Sequence, residues 1–361
     1  MKKYIFVLGR DPELSYAELI SYFSNFDIKH ELNYYKKNIA VFSIEKFNVD
    51  ISKLGGTIKI AEVILENEIK DIDFYLGTKN KVNYAISVYE NDRIFEKFED
   101  YLAKWFKFQK IKATRKRPRE THFTPRELKD VLEFVVCDKY IGRTFLVSNP
   151  KKYKKRDNER PHNDFKRNMS IRLAKILINL ACGKNGKKLL DPFCGMGILL
   201  EEGLLQGMNC NGVEIDGSIR KKATENLNFI SKKKFNIVLG DSSKVNKYFK
   251  ENSIDCVASE PYLGPYFKSY PKKEEVVKVV KELNKLYEPF FINLKKILKK
   301  NGKVAIVMPI LKASNRQKYE LNVGSFLKKA GFKMAKIEDI KLPIKYKEKK
   351  SIIEREIYVL E

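Results

Sequence analysis

Three carboxylates stand where short apolar, strand-like runs end: Asp191 in KLLDPFCGMG (188–197), Glu214 in NGVEID and Asp241 in IVLGD. In the first run, Gly195 and Gly197 let the backbone approach a ligand closely, because a side chain at either place would fill that space. Glu214 follows Gly195 by nineteen residues, at the strand end where a carboxylate can take both hydroxyls of a ribose. Asp241 closes a third strand, where it can accept a hydrogen bond from an adenine amino group. A lone G-x-G also fits a tight strand-to-helix turn, and each acid alone fits an exposed strand end. Together they line one rim of a sheet, where open α/β folds bind ligands. The loop is not a dinucleotide fingerprint, which would need glycine where Leu200 stands, and it is not a G-x-x-x-x-G-K-[ST] phosphate loop.

The Asp-Pro-Phe-Cys-Gly-x-Gly loop resembles the S-adenosylmethionine loop of class I methyltransferases that modify exocyclic amino groups. That resemblance implies S-adenosylmethionine as cofactor, bound by Asp191, Pro192, Cys194, Gly195, Gly197, Glu214 and Asp241, with Asp191 near its methionine end. A fourth strand ends in Ser259-Glu260-Pro261-Tyr262, which resembles the [Asp/Asn/Ser]-Pro-Pro-[Tyr/Phe/Trp] motif of amino methyltransferases with Glu in place of the first proline. The chemistry explains these types. An exocyclic amino lone pair is delocalised into its base, so an acceptor at the first position must hold the NH2 group in line with the sulfonium methyl. The aromatic stacks on the base, and proline stiffens the turn. A plain proline turn after a strand is the bland alternative, and the loop upstream argues against it. Two assignments stay open: Ser259 suffices as the acceptor, or Glu260 has taken over that role.

These residues need a frame. After Arg160-Pro161 the chain reads as a helix (170–182) and then as five apolar strands alternating with helical stretches, the pattern of a doubly wound α/β sheet. A helix (322–331), strand-like KMAKIEDIKLP and a last strand SIIEREIYVL suggest a hairpin at one sheet edge. The first half reads as an α+β module: strand YIFVLG, a helix from Asp11 with Pro12 in its first turn, strand NIAVFSIE, helix-like ISKLGGTIKIAEVIL, and strand NYAISVYE. The amphipathic helix IFEKFEDYLAKWFKF (94–108) follows, then two strands about a DKYIG turn (132–149). The expected domains are 1–160 and 161–361.

Lys and Arg number 72 against 46 Asp and Glu, a formal net charge of +26, which points to a polyanionic partner, nucleic acid ahead of membrane. Residues 1–100 carry 14 basic and 17 acidic residues, whereas residues 101–170 carry 20 and 8. The excess is bunched in KATRKRPR (112–119) and KKYKKRDNER (151–160). Lys112, Arg115, Lys116, Arg117 and Arg119 are the expected RNA contacts, with Trp105, Phe106, Phe108 and Phe123 as stacking surfaces. A Lys-rich run is otherwise a solvated face. The five cysteines form no CxxC pair and the three histidines no cluster, so neither a disulfide framework nor a metal site is expected. No apolar run approaches a membrane span, and a cytoplasmic protein is expected.

With these motifs in view, the chain resembles the THUMP-domain tRNA guanine-N2 methyltransferases that act at position 10. FVLGRDPELSYAEL resembles the family's opening, IGRTFLVSNPKKYKKRDNERPHNDFKRNMSIRLAKILINLA its domain junction, and DPFCGMGILLEEGLL its cofactor loop. The resemblance implies a ferredoxin-like and THUMP-like N-terminal region that holds tRNA. It further implies a Rossmann-like domain that methylates a guanine amino group. Two alternatives remain at this stage: methylation of adenine N6 or cytosine N4 in DNA or ribosomal RNA, and a basic RNA-binding relative whose turnover was lost with Pro→Glu at position 260.

Overall fold

The computed structural model describes residues 1–69, 81–89, 92–118, 123–128, 130–164, 169–348 and 351–361. It divides into two compact units. The first comprises Met1–Tyr16, Asp27–Ser52 and Gly56–Lys154; the second comprises Ala17–Phe26, Lys53–Gly55 and Lys155–Glu361.

In chain order the first half runs β1 (Lys2–Leu8), α1 (Pro12–Asn25), β2 (His30–Lys36), β3 (Ile39–Ile44), β4 (Thr57–Glu66), β5 (Lys81–Val88), α2 (Asp92–Phe108), β6 (Lys112–Arg115), β7 (Leu132–Cys137) and β8 (Tyr140–Val147). Its strands join one mixed sheet of order β2-β3-β1-β4-β8-β7-β5-β6, parallel only at β7-β5-β6. Helix α2 buries Phe98, Leu102 and Phe106, a fourfold spacing that puts all three on one face against the sheet residues Tyr84 and Phe134. The stretch ISKLGGTIKIAEVIL is no helix: after a short turn at Ile51–Lys53 it becomes β4, paired on both sides by β1 and β8. Four adjacent strands also share a buried polar knot. Lys59 of β4 pairs with Glu133 of β7, which further accepts from Ser87 Oγ of β5 at 2.5 Å and from Thr144 Oγ1 of β8 at 2.6 Å.

The second half runs α3 (Pro150–Glu159), α4 (Ile171–Ala181), β9 (Lys188–Asp191), α5 (Ile198–Leu205), β10 (Asn209–Glu214), α6 (Gly217–Ile230), β11 (Asn236–Leu239), β12 (Ile254–Ser259), α7 (Lys273–Ile297), β13 (Leu298–Lys312), β14 (Lys318–Glu320), α8 (Val323–Ala330), β15 (Ile344–Tyr346) and β16 (Glu354–Leu360). The sheet order is β11-β10-β9-β12-β13-β16-β15; the first five strands run parallel, β16 runs against β13, and β15 runs against β16. The reversal of strand order between β9 and β12 opens the crevice in which α/β sheets bind ligands. Leu190, Val257 and Ile306 face Val276, Leu283, Tyr287, Phe290 and Leu294 of α7. Leu189, one residue earlier and so on the opposite face, meets α5 at Gly203. The tail KMAKIEDIKLP forms only isolated bridges, and the edge hairpin is β15 with β16.

One expectation about cysteine needs correcting: Cys182, which ends α4, is joined to Cys256 of β12 by a disulfide. A sequence separation of 74 hides from the sequence a proximity that exists only after the helix packs on the strand.

Candidate active site

The carboxyl ends of β9, β10, β11 and β12 bring the sequence candidates of the second unit to one rim. Asp191 ends β9 and is buried. Its Oδ1 accepts from the Phe193 amide at 3.1 Å and from the Ser259 hydroxyl at 2.7 Å. Burial pushes the Asp191 carboxyl up to about 7, although both donors favour the ionised form; Glu214 and Glu260 add to the rise. The loop after it is tightly held. The ring of Phe193 lies edge-on to Phe290 of α7, and the Pro192 carbonyl accepts from Ser242 Oγ. Cys194 points its thiol into the core against Gly212, and burial raises that thiol well above its ordinary range, so this residue serves the loop through its backbone.

Gly195 has φ +49°, and a Cβ there would meet no protein atom within 4 Å. The space it would enter is the open side of the loop. Gly197, at φ +87°, begins α5; its left-handed conformation, rather than crowding, calls for glycine. Glu214 links two loops, because one oxygen accepts from Gly195 N at 3.0 Å and the other from Asp216 N at 2.9 Å. Asp241 caps the turn after β11, accepting from Ser243 N at 2.9 Å. Ile215 and Leu239, 73% and 53% exposed, leave apolar surface beside these two acids. An open glycine cradle, acids at successive strand ends and bare apolar side chains between them fit a nucleoside-bearing cofactor.

The Ser259–Tyr262 segment closes the other side. Ser259 is fully buried at the end of β12, Pro261 is buried, and Tyr262 is 55% exposed. Tyr287 Oη of α7 donates to the Tyr262 carbonyl at 2.5 Å and so fixes the turn from beneath. Glu260 pairs with Arg355 of β16 at 2.8 Å; burial raises its carboxyl, and Arg355 works against that rise. Sequence reasoning named Glu260 but missed this partner 95 residues away. It also missed Asn226 of α6, a buried amide that donates to the Met196 carbonyl of the loop at 3.0 Å and to the His162 carbonyl at 3.1 Å, while accepting from His162 N at 2.9 Å. The same junction segment is anchored by Arg160, which donates to both oxygens of Glu201 at 2.7 Å. Burial opposes the charge on that guanidinium, yet Glu201 and Asp157 hold it above its ordinary value.

In the first unit, the basic residues expected to meet RNA fall on and after the edge strand β6. Lys112, Lys116 and Arg117 are exposed. Arg115 is half-buried, paired with Glu99 and set over the Phe95 ring. Arg119 lies outside the described residues. Of the aromatic candidates, Phe106 and Phe123 are core residues, because α2 turns Phe106 inward and Phe123 packs on Ala85. Phe108 is 82% exposed.

Residues 160–317 match the model of the RMKL-like methyltransferase domain family, UPF0020. The chain is 34% identical over 138 residues to a probable tRNA (guanine(10)-N2)-dimethyltransferase of Methanothermococcus thermolithotrophicus, covering 36% of this chain and 75% of that one. The chain belongs to the tRNA (guanine(10)-N2)-dimethyltransferase family. The family's relative from Methanothermobacter thermautotrophicus is 26% identical over 177 residues, which covers 48% of this chain and about half (49%) of that relative. The crystal structure of TrmN from Thermus thermophilus covers 99% of both chains with a TM-score of 0.53 at 14% identity, a likeness of fold. Among the described residues no helix is long and apolar enough to cross a membrane.

Proposed function

We propose that this protein is a cytoplasmic S-adenosylmethionine-dependent tRNA methyltransferase acting on the exocyclic N2 amino group of a guanosine, and we assign that guanosine to position 10. Residues 1–160, with ferredoxin-like and THUMP-like parts, hold the tRNA, and residues 161–361 carry out transfer. The observation that carries this reading is the hydrogen bond from Ser259 to the buried Asp191, beside an exposed Tyr262, at the switch point of the sheet.

S-adenosylmethionine supplies an electrophilic methyl on sulfur. Gly195, Gly197 and the loop backbone would cradle it; Glu214 would take the ribose hydroxyls with its remaining lone pairs, and Asp241 the adenine amino group. Ser259 donates its proton to Asp191, which leaves the lone pairs of its oxygen as acceptors. An amino group held by that oxygen and by the adjacent backbone carbonyl is aligned for attack before transfer begins. Tyr262 stacks on the base, its carbonyl fixed by Tyr287. We assign the amino-group acceptor role to Ser259, which the bond to Asp191 sets at the end of β12.

The test is to incubate bulk tRNA with the protein and labelled S-adenosylmethionine, then digest to nucleosides. Label in N2-methylated guanosine is expected. Label confined to adenosine or cytidine, or no transfer at all, overturns the proposal.

A further inference from the structure

Glu260 occupies the place of a turn-stiffening proline, and the fold has provided for it. Arg355 Nε donates to Oε1 at 2.8 Å, with the two side chains only 15% and 14% exposed. Among the described residues, Oε2 takes no hydrogen bond. The strand register locates the pair. On β13, Ser259 lies opposite Ile306, and Arg355 lies opposite Pro309, three residues further toward the rim where β12 ends. Strand β16 runs antiparallel, so its first residues stand at the substrate end of the sheet.

A largely desolvated ion pair is a poor route to rigidity, since desolvation offsets most of the attraction, and proline would stiffen the turn without that cost. A carboxylate retained here calls for a partner that rewards it. On the guanine edge, the N2 amino group is flanked by N1–H, a second donor; a purine without the 6-oxo group carries a lone pair at N1 instead. A site that holds the guanine amino group therefore has a second donor beside it to satisfy.

We propose that Glu260 is a specificity-determining residue that accepts the N1–H of the target guanine, with Arg355 as the positioning residue that holds the carboxylate in place. This rests on the guanosine-N2 reading above. A base with a lone pair at N1 would face a negative oxygen and be rejected, as happens when a site built for a donor meets an acceptor.

The test uses tRNA assembled by ligation, carrying either guanosine or 2-aminopurine riboside at the nucleotide that wild-type protein methylates, and compares single-turnover rates. 2-Aminopurine keeps the amino group and has a lone pair at N1. Wild type should prefer guanosine by on the order of 100-fold. Glu260→Gln, whose amide can donate to N1, should shrink that ratio at least about tenfold, chiefly by faster reaction of 2-aminopurine; Arg355→Gln should shrink it less. A wild-type ratio near one overturns the proposal without any variant. So does an unchanged ratio in both variants, even if both rates fall together, because that is the signature of a merely structural pair. If wild type methylates no guanosine, the underlying reading fails first.

Discussion

Replacing Asp191 by asparagine keeps an oxygen to accept from Ser259 Oγ and Phe193 N but removes a buried charge. The wild-type carboxyl is raised from an ordinary 3.8 to about 7, with burial as the main cause. At 1.36 kcal/mol per unit, this disfavours the folded state by up to about 4 kcal/mol. The sign follows from proton counts. Below the unfolded value both states are protonated and the carboxyl costs nothing. Between the unfolded value and about 7 the unfolded chain has released its proton while the folded chain keeps it, so stability falls as pH rises; above that window the full penalty persists. Urea unfolding of both proteins without cofactor, at pH of about 4.5 and about 7.5, cancels all other titrations in the difference. The variant's advantage should grow by about 3 kcal/mol between the two conditions. A difference that is the same at both, or that grows toward acid, would refute the claim that Asp191 is a desolvated carboxylate.

Ser259→Ala should cut kcat by roughly ten- to a thousandfold with little change in cofactor affinity, since the acceptor acts mainly in the transition state; single-turnover methylation of tRNA measures it, and an undiminished rate removes Ser259 from the mechanism. Glu214→Ala should weaken S-adenosylhomocysteine roughly ten- to a hundredfold by calorimetry, with unchanged affinity counting against the ribose assignment. A Lys112, Lys116, Arg117→Ala variant should lower the slope of log K against log salt for tRNA by about 2 to 3 and leave cofactor affinity alone. Arg115 is left out of that set because Glu99 already engages it. Identical slopes would move the RNA surface elsewhere.

What the sequence made legible is what short-range chemistry writes. Apolar runs ending in acids gave the parallel strands β9 to β11, the Ser259–Tyr262 motif marked the end of β12, and helical spacing gave α2. Strand β4 was misread because TIKIAEVIL carries apolar residues at spacings that suit a helix as well, and the pairing by β1 and β8 that decides the matter is non-local. The stacking role given to Phe106 failed for a related reason. Charge density marks a surface, but the helix phase decides which aromatics reach it, and Phe98, Leu102 and Phe106 share the buried face. The partners of Glu260 and Asn226 escaped notice because nothing near them in the chain announces Arg355 or the backbone of Met196.

The polar knot in the first unit bears on how its sheet avoids misassembly. Lys59, Thr144, Glu133 and Ser87 come from four neighbouring strands, one each. Slipping any of these strands by one residue would turn its member to the other face and strand a lysine or a glutamate in the apolar layer. An apolar side chain turned to the other face loses burial, and a buried charge so displaced also loses the partner that compensates it. The knot therefore acts as a key that admits one alignment of four strands in a sheet joined by both parallel and antiparallel pairings, and its value lies in the alternatives it forbids.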